Sequence, residues 1–349
     1  MPQAVPLWRE VLPNLPLPKP VRRLILVGLV LLGLVAAAAW WYYALRPLPL
    51  EAQSVELRVP AGASARAIAQ QAREAGVGVN ETLFVLFARA TDATRSLRAG
   101  RYALERGATL ATLLDKLRSG DALPSRFTIV EGITVRELRA RLAQEKELRP
   151  DSAQLSDAQL AAALGASQVQ LEGLLAPETY VFAPGSSDLD MLRQAHRAQA
   201  QALEQAWERR AADLPLANPY EALVLASIVE KETGRAEDRP LVASVFINRL
   251  RLGMPLQSDP TVIYGLGEGF DGNLRKRDLQ KDTPYNSYTR RGLPPTPIAL
   301  PGRASIEAVL DPPRTDYLYF VARGDGSSQF SATLAEHNRA VDKFQRGRP

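Results

Sequence analysis

The apolar stretch from Leu24 to Leu45 constrains this chain more than any other feature of its sequence. It contains no charged residue and consists mainly of Leu, Val, Ala and Ile. Its length is about the 20 residues that a helix needs to cross the hydrocarbon core of a membrane. We therefore predict a transmembrane helix at residues 24–45, so that the rest of the chain folds as a membrane-anchored protein.

Aromatic residues at the far end of this stretch favour an anchor that is retained. They are Trp40, Trp41, Tyr42 and Tyr43, and such amphipathic rings prefer the headgroup region. A cleaved signal peptide is the alternative, and the alanines at 36–39 offer it a small-residue cleavage site. Its apolar region would be shorter, roughly 7 to 15 residues, and bulky rings would not follow the cleavage site.

Charges beside the stretch predict its orientation. Lys19, Arg22 and Arg23 precede it, whereas only Arg46 follows it closely. Because positive residues are enriched on the cytoplasmic side, we predict a cytoplasmic tail at residues 1–23. The proline-rich start of this tail is expected to be disordered. The remaining chain is then periplasmic and held by a single pass in the inner, cytoplasmic membrane.

Composition narrows the chemistry that the chain can support. There is no cysteine, and the only histidines are His196 and His337. Two distant histidines and no cysteine make a zinc site or a serine–histidine triad improbable. We therefore predict no metal and no cofactor. The net charge of +5 is scattered without a dense basic run, which argues against a nucleic-acid partner. Carboxylates are left as the acid–base groups.

One local pattern occurs three times after the anchor. A strand-like run reaches a glycine, a hydroxyl residue follows two positions later, and an apolar residue stands six positions after the glycine. Glycine suits a turn, and the hydroxyl can cap the next helix by accepting a backbone N–H. We therefore predict strand–turn–helix three times. The three sets are Gly62, Ser64, Ile68; Gly107, Thr109, Leu113; and Gly132, Thr134, Leu138.

The order of the other elements predicts the fold class. Residues 143–215 have helical spacing, interrupted near Pro177 by a loop and by the β-prone run Thr179 to Phe182. A β-prone run from Asp316 to Ala322 reads as a buried strand. Strands and helices do not alternate regularly, so we predict an α+β fold rather than a doubly wound parallel sheet.

A buried helix is predicted from Tyr220 to Thr233. Asn218 is a suitable N-cap and Pro219 suits the first helical position. Residues 222–229 are apolar almost all round, which is typical of a helix inside a core, and Gly234 is placed to end it. A second helix is predicted from Pro240 to Leu252, closed by Gly253.

Two carboxylates, Glu230 and Glu232, follow directly on this buried stretch. Desolvation at this point would raise the pKa of Glu230 and keep it protonated near neutral pH, as a general acid requires. The two residues point to nearly opposite sides of the helix, so they are not expected to act as a pair. Taken alone, Glu230 would more often be a capping or ion-paired residue than a catalyst.

A family resemblance changes that interpretation. The run Ala226 to Thr233, ASIVEKET, resembles the signature of the endolytic murein transglycosylases, the YceG-like family. Further matching blocks are VFINRL at 245–250, LQSDPTVIYG at 256–265 and TPYNSY at 283–288. The resemblance implies that Glu230 is the catalytic acid–base, with Glu232 in a supporting role at most.

The resemblance also implies a site, a domain plan and a reaction. A LysM-like module is expected at 46–122 and an α+β catalytic domain at 123–349. The reaction is cleavage of the bond between N-acetylmuramic acid and N-acetylglucosamine in nascent peptidoglycan strands, with 1,6-anhydro ends that limit strand length, beside peptidoglycan synthases as partners. The expected substrate-binding residues are Asn248, Gln257, Asp259, Thr261, Tyr285, Asn286 and Tyr288.

Two alternatives remain open from the sequence. In a hydrolytic muramidase, Asp259 or Glu232 would activate water, and the product would carry a reducing end. In a non-catalytic cell-wall scaffold, the anchor and a glycan-binding module would suffice. The module could also serve only as a spacer, since no exposed aromatic platform is evident in it.

Overall fold

The computed structural model describes residues 18–60 and 62–347. The chain divides between Leu123 and Pro124 into two compact units. Most of the predicted cytoplasmic tail, residues 1–17, lies outside the described residues. Helix and strand occur together in both units, in agreement with the predicted mixed α+β class.

Helix α1, Lys19–Leu45, contains the predicted membrane span. Within the described residues, the segment from Pro20 to Leu45 is the one helix long and apolar enough to cross a membrane. Its Leu and Val side chains are exposed along the whole stretch rather than packed in a core. A helix of this length and composition, with its apolar side chains uncovered, is suited to lipid.

The rest of the first unit is a β–α–α–β arrangement followed by a further helix. Strands β1 and β2 pair antiparallel, with Ser54 opposite Glu105 and Val59 opposite Gly100. A core of Leu57, Ile68 and Tyr102 lies between this two-stranded sheet and the helices. The LysM-like character of the unit stays a prediction. The elements are β1 Ser54–Val59, α2 Ala65–Glu74, α3 Glu81–Ala90, β2 Gly100–Glu105 and α4 Leu110–Ser119.

All three predicted strand–turn–helix units are confirmed. Gly62, Gly107 and Gly132 have φ angles of 74°, 96° and 75°, a region that glycine enters without steric cost. The hydroxyl residues Ser64, Thr109 and Thr134 each cap the following helix through a backbone N–H. The third strand–turn–helix unit comprises β3, Ser125–Thr128, and α5, Val135–Leu142. The apolar residues at the sixth position, Ile68, Leu113 and Leu138, are buried.

The second unit packs helices around two antiparallel two-stranded sheets. Strand β3 pairs with β4, which covers the predicted run Thr179–Phe182, and β5 pairs with β6. The remaining elements are α6 Asp157–Leu164, α7 Asp188–Glu208, α8 Pro219–Glu232, α9 Arg239–Arg251, α10 Asp259–Leu266, α11 Lys276–Gln280, α12 Arg303–Leu310, β5 Tyr319–Ala322, β6 Ser328–Ser331 and α13 Leu334–Phe344. Helices α8, α9 and α12 share one apolar core.

Helix α8 confirms the predicted buried helix. The Asn218 side chain accepts a hydrogen bond of 3.0 Å from the backbone N–H of Glu221, and Pro219 occupies the first turn. Residues 222–229 are all buried. The helix ends at Glu232, one residue before the predicted end, and Thr233 is extended with φ −149° and ψ 130°. Gly234 follows directly, as predicted, but without a left-handed φ angle. Helix α9 does end as expected, with Gly253 at φ 62°.

The predicted strand from Asp316 to Ala322 forms only over Tyr319–Ala322, and it is half-buried rather than buried. Hydrogen bonds from Asn248 explain why the strand begins at Tyr319 and not at Asp316. The Asn248 amide donates hydrogen bonds of 2.8 Å and 3.0 Å to the backbone carbonyls of Thr315 and Tyr317. These carbonyls are thus bound by a side chain of α9 and not by a neighbouring strand.

Candidate active site

The last turn of α8 carries two carboxylates, Glu230 and Glu232, which lie in different surroundings. One oxygen of Glu230 accepts hydrogen bonds from the backbone N–H of Gly302, at 2.9 Å, and from the hydroxyl of Ser305, at 2.7 Å. Both donors belong to the start of α12. Glu230 therefore joins α8 to α12, and it is only partly buried.

A turn of the third strand–turn–helix unit lies against the same side of α8. The Lys231 ammonium group donates a hydrogen bond of 3.1 Å to the carbonyl of Gly132. The Gly132 N–H donates to the carbonyl of Leu300, and the Leu300 N–H donates to Ile133, each at 2.8 Å. A Cβ atom on Gly132 would lie 3.7 Å from Cγ of Glu230. The end of α8 is thus enclosed by backbone on the Glu230 side.

Glu232 faces the loop that precedes α10. Its carboxylate accepts a hydrogen bond of 2.5 Å from the hydroxyl of Ser258, a residue with 1% of its surface exposed. Desolvation by burial raises the pKa of Glu232 to about 7, and the negative charge of Asp259 adds to the rise, while the Ser258 bond and the charge of Arg249 oppose it. A carboxyl group in this state is half protonated at neutral pH.

Three of the predicted substrate-binding residues gather around Glu232. The Tyr288 hydroxyl donates a hydrogen bond of 2.5 Å to Asp259, and this bond together with burial raises the pKa of Tyr288. Gln257 has φ 51°, a left-handed conformation that is uncommon outside glycine and that concentrates at functional sites. The side chains of Gln257 and Asp259 are exposed, so a ligand could reach them.

Three other predicted substrate-binding residues have their polar groups occupied inside the protein. Thr261 is fully buried and contacts the Ser258 carbonyl at 2.7 Å. The Asn286 amide donates to the carbonyls of Leu279 and Lys281 at 3.0 Å and 2.7 Å, and its oxygen accepts from two backbone N–H groups. Asn248 binds the segment before β5, as described above. These side chains shape the loops around Glu232.

Tyr285 lines a separate polar cleft of about 620 Å³. Its ring meets that of Tyr264 edge-on, with centroids 5.0 Å apart, and its hydroxyl pairs with Thr296 at 2.8 Å. Arginines at the start of α5 also line the cleft. The full lining is Val135, Arg136, Arg139, Leu155, Ser156, Asp157, Gln170, Leu171, Glu172, Tyr264 and Tyr285.

Glu172 is the buried carboxyl group of this cleft. It accepts hydrogen bonds from the N–H of Val135 at 3.1 Å and from the Tyr264 hydroxyl at 3.2 Å. Burial raises the pKa of Glu172 to about 7, against the effect of these two donors. The sequence analysis did not select Glu172 or Ser258. The sequence around Glu172 offered only a loop near Pro177 and the β-prone run Thr179 to Phe182 as signals.

The model of the YceG-like family matches residues 57–343. The chain belongs to the YceG-like family. Among its relatives, the endolytic murein transglycosylase of Bacillus subtilis (strain 168) is 34% identical over 316 residues, which are 85% of this chain and 87% of that protein. The endolytic murein transglycosylase of Streptococcus pneumoniae serotype 2 (strain D39 / NCTC 7466) is 28% identical over 360 residues, covering 92% of this chain and 65% of the relative.

A solved structure supports the YceG-like fold as well. The crystal structure of a YceG-like protein from Listeria monocytogenes is 30% identical in sequence and covers 82% of this chain and 98% of its own, with a TM-score of 0.53. The resemblance to this family stated from the sequence is therefore confirmed.

Proposed function

We propose that this YceG-like protein is an endolytic murein transglycosylase, a lyase that cleaves the bond between N-acetylmuramic acid and N-acetylglucosamine in peptidoglycan. The observation that carries the proposal is the carboxyl group of Glu232. It lies at the end of the buried helix, its pKa is about 7, and it adjoins the exposed polar residues Gln257 and Asp259. A general acid for a glycosidic bond needs these three properties.

Glu230 is the acid–base residue predicted from the sequence; the buried carboxyl group of Glu232 beside Asp259 supports its neighbour for that role instead. Both donors at Glu230 bind the same carboxylate oxygen and tie α8 to α12. We assign Glu230 the positioning of the last turn of α8, and Glu232 the proton transfer. The assignment rests on the raised pKa of Glu232 and on the polar residues beside it.

The reaction requires a single carboxyl group. Protonated Glu232 donates its proton to the glycosidic oxygen while the bond from that oxygen to C1 of the muramyl residue breaks. The C6 hydroxyl of the same residue then attacks C1, and the Glu232 carboxylate accepts the hydroxyl proton. The product carries a 1,6-anhydro end, no water is consumed, and Glu232 returns to its protonated form.

The polar residues near Glu232 hold the strand. Gln257 binds the sugar, as does the hydroxyl oxygen of Tyr288, which can still accept a hydrogen bond while its proton is donated to Asp259. The negative charge of Asp259 stabilises the developing oxocarbenium ion. Tyr285 extends the binding surface towards the cleft of Glu172. Thr261, Asn286 and Asn248 contribute by keeping the loops in place, since their own hydrogen-bonding groups are occupied.

We propose that the anchor holds this activity at the membrane. With the amino terminus in the cytoplasm, the catalytic domain is periplasmic and held by one pass in the inner membrane. It then meets glycan strands close to where synthases extend them, and internal cuts there limit strand length. The positive charges at the start of α1, before Leu24, support this orientation.

Mass spectrometry of released glycan fragments tests the proposal. Full-length protein in detergent micelles is incubated with purified glycan strands, in parallel with Glu232→Gln and Glu230→Gln. We expect anhydro ends from the wild type, a loss of about a hundredfold to ten-thousandfold for Glu232→Gln, the usual effect of removing a catalytic acid, and residual cleavage by Glu230→Gln. Glutamine at 230 can still accept hydrogen bonds from Gly302 and Ser305.

Other outcomes point to other conclusions. Loss of cleavage in Glu230→Gln alone would return the acid–base role to Glu230. Reducing ends would indicate a hydrolytic muramidase, for which Asp259 is the candidate base because it adjoins Glu232. A folded protein that releases no fragments would indicate a glycan-binding scaffold.

A further inference from the structure

Helix α3, Glu81–Ala90, has apolar side chains on two faces. Phe84 and Ala88 are buried in the core of the first unit. A second stripe consists of Leu83, Leu86, Phe87 and Ala90, at the i, i+3, i+4 and i+7 spacing of one helix face. We call these four residues the outer stripe.

The outer stripe is only partly covered by the protein. Leu86 has 50% of its surface exposed, Ala90 is exposed, and Leu83 and Phe87 are only partly buried. A helix that is apolar nearly all round is normally covered on every side or contacts lipid. The outer stripe therefore needs an occupant.

The contact between Trp40 and Phe87 shows where this stripe lies. Their ring centroids are 5.0 Å apart and the rings are tilted by 39°. Trp40 belongs to the aromatic end of the span, which is at the level of the headgroups when α1 crosses a membrane. Phe87 must then be at nearly the same depth, because the two rings touch.

Contacts at the end of α1 hold this arrangement. Ala44 has only 1% of its surface exposed, and helix α1 packs against α4. The Leu48 N–H donates a hydrogen bond of 2.8 Å to the carbonyl of Ala108, and Pro47 pairs with Thr109. The chain leaving the membrane is therefore fixed to the folded unit within a few residues.

We propose that α3 is an interfacial helix whose outer stripe enters the outer surface of the bilayer that α1 crosses. Its apolar side chains lie at the boundary of acyl chains and headgroups, as in other amphipathic helices at membrane surfaces. Lipid is the occupant because the stripe is continuous with the span through the ring contact of Trp40 and Phe87. The exposed Arg89 guanidinium on the same helix suits anionic headgroups.

The inference does not depend on the catalytic proposal. It uses only the first unit and the anchor, and it gives the β–α–α–β unit a second attachment to the membrane. Residues 83–90 would lie flat on the bilayer while residues 24–45 cross it.

Spin labelling tests the inference directly, since the chain contains no cysteine that would have to be removed. Single cysteines replace residues 82, 83, 86, 89 and 90 in the full-length protein, which is labelled with a nitroxide and inserted into nanodiscs of phosphatidylcholine and phosphatidylglycerol. Electron paramagnetic resonance then compares collisions of each label with oxygen, which partitions into lipid, and with a water-soluble nickel chelate.

We expect labels at Leu83, Leu86 and Ala90 to collide several-fold more with oxygen than with nickel. Labels at Thr82 and Arg89, on the flanks of the same helix, should show the reverse. A second substitution, Leu86→Glu, should lower the oxygen preference of the label at Ala90 several-fold. Because Leu86 is half exposed, this change is not expected to unfold the unit, which circular dichroism would verify.

Three results would overturn the proposal. Equal access of nickel to all five labels would place α3 in water. Protection of the outer stripe from both reagents would indicate a protein partner, and dipolar broadening between labels would identify that partner as a second copy of this chain. An unchanged label at Ala90 in the Leu86→Glu protein would show that the stripe does not hold the helix on lipid.

Discussion

The Ser258 hydroxyl donates a hydrogen bond of 2.5 Å to Glu232. This contact joins the last turn of α8 to the residue before α10 and aims the carboxyl group at the loop that carries Gln257 and Asp259. Ser258 is itself fixed, because its N–H donates to the Ser287 hydroxyl at 2.9 Å. The orientation of the proposed acid therefore depends on a buried pair of serines.

Ser258→Ala should displace the pH profile of the reaction. Loss of a donor to the charged form raises the pKa of Glu232 further, by roughly one unit for a hydrogen bond to a carboxylate. The basic limb of kcat/KM, expected near pH 7 in the wild type, should move up by about that amount while the rate at its optimum falls. The matched control is Ser305→Ala, which removes one of the two donors at Glu230. A shift in the Ser305→Ala profile and none in Ser258→Ala would contradict the assignment of Glu232.

Glu172→Gln should flatten the dependence of stability on pH. The folded-state pKa of Glu172 is about 7, above its ordinary value of 4.5, so the folded protein holds this proton more tightly than the unfolded chain. The resulting stability is complete below pH 4.5 and is lost as the pH rises to 7. The wild type should therefore lose up to about 3 kcal/mol of unfolding free energy over this pH range through Glu172, and Glu172→Gln should lack that loss. Denaturant titrations at pH 4.5 and 8 would measure the free energy of unfolding, with Glu178→Gln, at an exposed position, as control. The same difference between the two pH values in the wild type and in Glu172→Gln would refute the prediction.

Gly173→Ala should destabilise the second unit. Gly173 has φ 80°, and a Cβ atom there would lie 2.5 Å from Cγ of Pro297, in a rigid ring that cannot rotate away. We expect a loss of about 2 to 4 kcal/mol from strain and overpacking together. Gly165→Ala is the control, since its φ is 73° and nothing lies within 4 Å; it should lose only about 1 kcal/mol. Chemical denaturation would compare the two, and similar losses would show that the Pro297 contact is relieved at no cost.

Tyr288→Phe should weaken substrate binding without unfolding the site. The substitution removes the hydroxyl that donates to Asp259 but leaves the ring in place. We expect KM to rise about tenfold, the effect of roughly one lost hydrogen bond, with an unchanged midpoint of thermal unfolding. Steady-state kinetics on defined glycan strands would show it. A change confined to kcat would move Tyr288 from binding to the chemical step.

Asn286→Ala should act through stability instead. Its amide group satisfies buried backbone carbonyls in the loop after α11, and removing it leaves them without a partner. The expected loss is about 2 to 3 kcal/mol, with Asn286→Asp recovering only the bonds that the side-chain oxygen accepts. Calorimetry would give the size of the loss. A wild-type unfolding temperature with a raised KM would instead support direct contact with the sugar.

Local features of the molecule could be predicted from the sequence. The span at 24–45, the caps at Ser64, Thr109 and Thr134, and the start of α8 depend on residues within one or two turns of each other. The family signature likewise located the carboxylates at the end of α8. These features can be predicted because the residues that determine them lie close to them in the sequence.

Only the tertiary structure decided what each polar side chain contacts. Asn248 and Asn286 stand in family blocks and were expected to meet the substrate, yet their amides bind backbone of the protein itself. Glu172 meets Tyr264, far along the chain, and Ser258 meets Glu232. Burial and hydrogen bonding set the pKa of a carboxyl group, and both depend on segments that only folding brings together.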